Sequence, residues 1–447
     1  MTERETWATR LGFILAAVGS AVGLGNIWQF PFKTATNGGS AFVFVYLLAA
    51  VLIGLPAILA EFVVGRRAKR NAVEAFERLN RPHWTVVGAL GLFIGMWILS
   101  YYSVVGGWVI RYVFGSATGA YFGAPADYFG AVSAGLDAVA LHGVFMLLTA
   151  AIVAFGVEDG IERATKLMVP SILLILVGLA MYAATLPGVA DAYAFYLAPD
   201  FEYLFANPGD VIPFAVSQAF FSLSLGMGAM ITYSSYIDGD ESLVSDGGTI
   251  VVLNTLVGLL AGLVVIPLLF AHQGGVSETA AGGGASALFV AVASAFADLG
   301  AAGRAVGVVF FLVVLVAALS SAISLLEVVT SYVVDRYGVD RKATAFGLGG
   351  GLFLVGTLSA GDTAWLTWFD TVAYQVLLPV SVLLGVVFVG WALGPVAVEE
   401  LRKGSGGLPR AAPAWLWMLR TFVLLGVLGT LVLGANTLYE MPAVPWV

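Results

Sequence analysis

Two long apolar runs in this chain are each interrupted by small residues at the depth where a membrane-crossing helix needs continuous hydrogen bonding. Within residues 11–32 the interruption reads Gly19-Ser20-Ala21-Val22-Gly23-Leu24-Gly25-Asn26. Within residues 211–237 it reads Phe220-Phe221-Ser222-Leu223-Ser224-Leu225-Gly226-Met227-Gly228. Each glycine weakens a helix by about 1 kcal/mol relative to alanine, and Pro31 follows closely, so the first run predicts an unwound stretch. In hydrocarbon, unwound backbone survives only where protein or a wet cavity satisfies its amides and carbonyls. Two such breaks in corresponding places predict a transporter whose substrate site lies near the membrane midplane.

Composition agrees. With 60 % hydrophobic and 11 % charged residues over 447 positions, the chain lacks the polar surface to coat soluble domains and reads as an integral membrane protein. There are no cysteines, which removes disulfides and thiolate metal sites. Apolar stretches of about twenty residues predict eleven spans. Their limits are 11–36, 40–66, 84–115, 135–156, 163–185, 211–238, 246–272, 303–335, 342–359, 365–393 and 412–436. An odd count puts the termini on opposite sides. Of the 20 lysines and arginines, all but Lys33, Arg111 and Arg304 then fall at or near one face, which predicts a cytoplasmic N-terminus and an extracellular C-terminus in the cell membrane.

The expected organisation is a cytoplasmic tail at 1–10, retained and not cleaved, and a five-span unit at 11–185. An extracellular loop at 186–210, a second five-span unit at 211–393 and an eleventh span with a short extracellular end at 394–447 follow. The connections 116–134, 186–210 and 273–302 read as outer loops, with the tract Ala280 to Ala285 a flexible one. The net charge of −8 is dispersed, so no nucleic-acid partner is expected. His83, His142 and His272 lack ligand spacing, and no glycine loop with a following lysine predicts ATP binding. The chain does not read as an enzyme, and its oligomeric state is not legible.

Several motifs, in order along the chain, resemble the neurotransmitter:sodium symporter family. They are Trp7-Ala8-Thr9-Arg10-Leu11-Gly12, residues 19–31, Asn37-Gly38-Gly39, residues 218–236, Asn254 and residues 317–325. The likeness is to its prokaryotic amino-acid transporters and extends to about residue 436. It implies an all-α integral membrane protein with the LeuT fold: about 11 transmembrane helices in a 5+5 inverted repeat, with helices 1 and 6 broken. The function implied is sodium-coupled symport of neutral, hydrophobic L-amino acids, aromatic ones included. The alternatives are a non-transporting amino-acid receptor and a broken-helix transporter of another small zwitterion.

Sodium is a hard cation that prefers oxygen, which unwound helices supply as free carbonyls. Ala317, Ser320 and Ser321 share one helical face. The resemblance implies one sodium held by Gly19, Val22, Ala317, Ser320 and Ser321; by spacing alone these serines equally bond their own helix. A second sodium site is implied at Ala21, Asn26, Ser222 and Asn254, next to the substrate. Asn254 is costly in its apolar stretch unless paired, as a ligand or as glue between helices.

Family members that carry amines have an aspartate where Gly23 stands, so glycine implies a substrate with its own carboxylate. That group would meet the sodium, the amides of Leu24 and Gly25 and the Tyr102 hydroxyl, while the ammonium would meet Ala21, Phe221, Ser222 and Ser224. The implied side-chain pocket is Ser20, Ile98, Phe221, Ser224, Met227, Ser321 and Leu325. An inner gate is implied between Arg4 and Asp335, with Tyr236 and Trp7. The outer gate would use Asp370 with Tyr102 and Phe221, and with Gln29 where relatives carry arginine. Chloride is left open: Tyr46, Gln218, Ser222 and Asn254 match chloride-lining residues of animal members, while Gly258 replaces a serine. Glu327 reads as a proton site or a neutral hydrogen-bonding strut, with the strut preferred.

Overall fold

The computed structural model describes residues 6–237, 239, 241–273, 284–404 and 411–434. Their regular structure is helical throughout, as backbone in hydrocarbon requires. The first half begins with α1 (Arg10–Ala21) and α2 (Gly25–Thr36), two pieces of one span bent by 48°. It continues through α3 (Ser40–Ala68), α4 (Thr85–Thr118), α5 (Leu136–Ala154) and α6 (Val157–Ala183). The second half repeats the pattern with the broken pair α7 (Pro208–Ser222) and α8 (Ala229–Ser234), then α9 (Leu243–Gln273), α10 (Ala301–Tyr337), α11 (Arg341–Gly361) and α12 (Thr363–Leu393). The last span is α13 (Ala412–Leu433). Nine unbroken apolar helices and two broken ones among the described residues are compatible with eleven spans.

Equivalent helices of the two halves meet at the centre: α4 packs along α10 and α5 along α11, as a pseudo-twofold relation requires. Against this scaffold α1 packs on α6, α9 and α10. Both breaks fall where the glycines stand. At the first, α1 stops at the extended Val22 (φ −81°, ψ 100°). At the second, Ser224, Gly226 and Gly228 all adopt positive φ, at 52°, 77° and 74°. Glycine enters that region without a Cβ penalty; Ser224 does not, and is held there by its surroundings.

The outer connections are more ordered than loops. Pro125–Val132, Val189–Leu197, Phe201–Ala206 and Gly284–Asp298 are helical, which corrects the expectation for 116–134, 186–210 and 273–302. Burial of single aromatics pins these short segments: the Tyr196 hydroxyl donates to the Leu259 carbonyl at 3.1 Å, and Phe289 packs against Trp108 and Tyr112. Of the tract Ala280 to Ala285, residues 280–283 lie outside the described residues, and Ala285 belongs to a helix.

On the face that carries the N-terminus, Arg66 Nε lies 2.8 Å from Glu400 Oε1, and the two side chains are only 1 % and 2 % exposed. Burial disfavours the Glu400 carboxylate, but hydrogen bonds and charge from Lys403 and Arg66 outweigh it and hold the group below its ordinary range. Removing one partner of such a pair strands the other, so Glu400→Ala should cost about 3–5 kcal/mol, read as a lower midpoint of thermal unfolding in detergent. A carboxyl whose folded pKa is depressed contributes stability above its unfolded pKa and loses it as pH falls through the folded value. The difference between wild type and Glu400→Ala should therefore persist at neutral pH and shrink only in acid.

Candidate functional site

The two breaks face each other across a buried cavity of about 20 Å³ lined by Ser20, Ala21, Gly23, Gly25, Ile98, Tyr102, Phe221, Ser224, Met227, Ser321 and Leu325. Of the residues expected at the substrate, only Leu24 and Ser222 do not line it. Leu24 presents its backbone instead: its amide donates to the Tyr102 hydroxyl at 3.0 Å. Gly23 is tightly enclosed, since a Cβ there would lie 2.2 Å from Ser321 Oγ and 2.7 Å from the Tyr102 hydroxyl. Backbone polar groups freed by the breaks are met across elements. Ser224 Oγ and Ser321 Oγ donate to the Ser20 carbonyl at 2.9 and 3.0 Å, and Ser20 Oγ meets Ser324 Oγ at 2.8 Å.

Two residues that satisfy the second break escape motif reading. Glu61 Oε1 accepts from the Gly226 amide at 2.7 Å, and Ser381 Oγ donates to the Gly226 carbonyl at 2.7 Å. An acid within the apolar run of α3 was the available signal for Glu61.

The first expected sodium set is brought together. Ser320 Oγ donates to the Val22 and Ala317 carbonyls at 3.1 and 2.9 Å, and Ser321 Oγ lies 3.5 Å from the Gly19 carbonyl. Ser320 therefore bonds its own helix and bridges to α1 as well. In the second set, Asn26 Nδ2 donates to Asn254 Oδ1 at 2.8 Å, and Asn26 Oδ1 accepts from the Gly23 amide at 3.3 Å. The same Asn254 atom lies 3.2 Å from the Ala21 carbonyl oxygen and 2.9 Å from the Ser222 carbonyl oxygen. Asn26 needs an oxygen there; the two carbonyls need a positive centre. Turning the amide would set its nitrogen 2.8 Å from Asn26 Nδ2, donor against donor, whereas a cation among the three oxygens satisfies every group.

Around this set, Tyr46 and Asn254 both reach the Ser222 hydroxyl, at 3.2 and 3.3 Å. Gln218 turns elsewhere, donating to the Gly25 carbonyl at 2.7 Å and accepting from Tyr374 at 3.3 Å. A Cβ on Gly258 would make only ordinary contact with Phe30 and Asn26.

The outer gate departs from expectation. Asp370 Oδ1 accepts from Tyr101 at 3.0 Å, one residue before the expected Tyr102. Its cationic neighbour is Lys33, and no hydrogen bond joins it to Gln29, whose buried Oε1 is unpartnered. Lys33 sits one helical turn beyond Gln29, and its ammonium lies 4.8 Å from the Phe214 ring centre and 5.4 Å from that of Tyr374. A cation has thus moved four residues along α2. Lys33→Gln should raise, several-fold, the accessibility of a single reporter cysteine in the outer vestibule of this cysteine-free chain, since attraction through rings and charge is worth about 0.5–2 kcal/mol. Asp370→Asn should add little to that variant; additive effects would show that the two residues act apart.

At the opposite end Arg4 lies outside the described residues, and Asp335 accepts from Asn71 at 3.2 Å. Trp7 Nε1 donates to the Tyr233 carbonyl at 3.0 Å, and its ring meets Tyr236 edge-on. Tyr236 donates to Glu327 at 3.0 Å, so it joins a buried acid besides the expected gate. Arg341 pairs with the same carboxylate, which makes Glu327 an ion-paired strut in place of the neutral one expected. Thr9 and the Ala8 amide bind Glu162, each at 2.9 Å, fastening the start of α1 to α6.

Two broken helices enclosing a buried cavity between inverted halves define a secondary transporter. The chain belongs to the sodium:neurotransmitter symporter family, which it matches over residues 4–122 and 131–441. It is 34 % identical to the sodium-dependent transporter YhdH of Bacillus subtilis, over 94 % of this chain and 96 % of that protein. A sodium-dependent transporter of Methanocaldococcus jannaschii is also 34 % identical, over 89 % of this chain and 84 % of its own length. Among solved structures, MhsT in complex with L-phenylalanine superposes with a TM-score of 0.86 at 38 % identity, covering 96 % of this chain and all of that one. The protein is a multi-pass, sodium-dependent membrane transporter with the LeuT fold, and not an enzyme.

Proposed function

We propose that the protein is a sodium-coupled secondary active symporter of neutral, hydrophobic L-amino acids, aromatic ones included, working by alternating access in the cell membrane with its N-terminus in the cytoplasm. The observation that most supports this is the convergence of the Ala21, Ser222 and Asn254 oxygens beside Gly23, the Leu24 amide and the Tyr102 hydroxyl. A sodium ion there would be completed by the carboxylate of the substrate, which Leu24 and Tyr102 would hold by hydrogen bonds. Ion and substrate would then share a contact. The second sodium would sit among Gly19, Val22, Ala317, Ser320 and Ser321 and lock α1 to α10.

The walls around the substrate side chain are Ile98, Phe221, Met227 and Leu325, with no charge to pair an ionised side chain. At about 20 Å³ the cavity holds one water, so an amino acid requires these residues to give way; unbranched Met227 is suited to that. The L-phenylalanine bound to MhsT is of the proposed class. Tyr46, Gln218, Ser222 and Asn254 are the chloride candidates, and replacing chloride by gluconate in the uptake assay tests them.

The test is uptake of labelled L-phenylalanine into proteoliposomes under an inward sodium gradient, with a panel of amino acids screened for sodium-dependent thermal stabilisation. Saturable uptake that collapses when the gradient is dissipated is expected. Stabilisation without counterflow would indicate a receptor, and uptake indifferent to sodium would overturn the proposal.

A further inference from the structure

We infer that a second site, remote from the substrate, recognises a phosphate group of net negative charge, not one balanced by a cation as in a zwitterionic headgroup, at the face that carries the N-terminus. A cavity of about 800 Å³ lies between the ends of α3 and α12, and Arg66, Arg67, Lys69, Arg78, Arg81 and Lys403 converge on it. Positive charge at the ends of spans is ordinary, and Arg66 has an ordinary use: its donors go to Glu400 and to the Glu241 carbonyl. Lys69 is in use as well, donating to the Ile237 carbonyl. Glu400 is the one acid among the lining residues, and its Oε2 is shared by Arg67 and Lys403, at 3.2 and 2.7 Å. Arg81 reaches only the carbonyls of Asn80 and Ala392, at 3.1 and 3.4 Å, and among the described residues neither Arg78 nor Arg81 has a carboxylate within ion-pair distance. Even with Asp238 and Asp240, the sequence neighbours of the lining Gly239, set against it, the charge stays positive.

Guanidinium groups match phosphate oxygens with paired donors, so the site selects a phosphate ester or a free phosphate over a lone carboxylate. Its rim includes Ala392, Leu393 and Val396. Trp391 beside them is 50 % exposed, with the Arg420 guanidinium 5.8 Å from its ring centre. Exposed tryptophan with a neighbouring cation marks the level where hydrocarbon meets headgroups. Basic pockets between helices at that level suit anionic headgroups, with acyl chains lying along the apolar rim.

The test titrates the full purified chain, in a neutral detergent at fixed ionic strength, with soluble dihexanoyl phosphatidylglycerol, dihexanoyl phosphatidylcholine or inorganic phosphate, and reads the midpoint of thermal unfolding. Phosphatidylglycerol is expected to raise it. The Arg78→Gln, Arg81→Gln double variant should bind that lipid about thirtyfold more weakly, while Arg111→Gln and Arg304→Gln on the opposite face should not change it. Should the double variant not fold, Lys403→Gln, with a side chain 52 % exposed, should show about a fivefold loss. A response to phosphatidylglycerol alone assigns the site to lipid; an equal response to inorganic phosphate assigns it to a soluble anion, with phosphate recognition upheld in both cases. Equal stabilisation by phosphatidylcholine, no stabilisation by either phosphate source, or undiminished binding in the folded variants would overturn the inference.

Discussion

Gly23→Asp should abolish sodium-driven amino-acid uptake, leaving only the background leak of empty proteoliposomes. Two effects act in the same direction. The first atom of any side chain at Gly23 falls 2.2 Å from Ser321 Oγ and 2.7 Å from the Tyr102 hydroxyl, so both groups must move. A carboxylate then occupies the place proposed for the substrate's own, and two like charges about 4 Å apart repel by roughly 4 kcal/mol in a partly solvated site. Gly23→Ala separates the contributions, since it has the crowding without the charge. Near-normal uptake by a folded, membrane-inserted Gly23→Asp protein would mean that the carboxylate is recognised elsewhere.

Asn254→Ala should weaken sodium and substrate together. The substitution removes the oxygen on which Asn26, Ala21 and Ser222 converge. If ion and substrate share a contact, each must lose affinity for the other by the same factor, about 5- to 150-fold for typical coupling energies. Calorimetric titration of each ligand, with and without the other, closes that cycle. A variant with weakened sodium binding but unchanged substrate affinity at every sodium concentration would place the two ligands apart.

Position along the chain was legible where chemistry is local. Glycine and proline mark the breaks because backbone freedom is a property of single residues, and the oxygens of Asn26, Asn254, Ser320 and Ser321 stood out in apolar surroundings. Reach was not legible. The motif register put Gln29 opposite Asp370, yet a flexible lysine one turn away supplies the charge, and Tyr101 rather than Tyr102 supplies the hydroxyl. Glu61 was missed because its partner Gly226 is 165 positions away, and nothing near it in sequence announces a bond to an unwound backbone. The ordered outer segments were missed for a related reason. Val189–Leu197 is short and lies between Gly188 and Pro199, and its helix depends on Tyr196 being buried against α9, a tertiary event.

The carbonyl of Ser20 accepts from Ser224 on the second broken span and from Ser321 on α10. One oxygen thus joins the two broken helices to each other and both to the scaffold, and the two bonds have different fates if the broken pair rocks as a body. The bond from Ser224 travels with the pair, whereas the bond from Ser321 is stretched and must break before the motion completes. About 1 kcal/mol of the activation barrier for opening would then reside in a single hydroxyl. Ser321→Ala should quicken exchange between outward- and inward-open forms in single-molecule fluorescence, roughly five-fold by that energy, while Ser224→Ala should leave the rate and blur the concerted transition into separate steps. Tempo and cooperativity of the cycle would be set at one backbone atom by two serines on opposite sides of it.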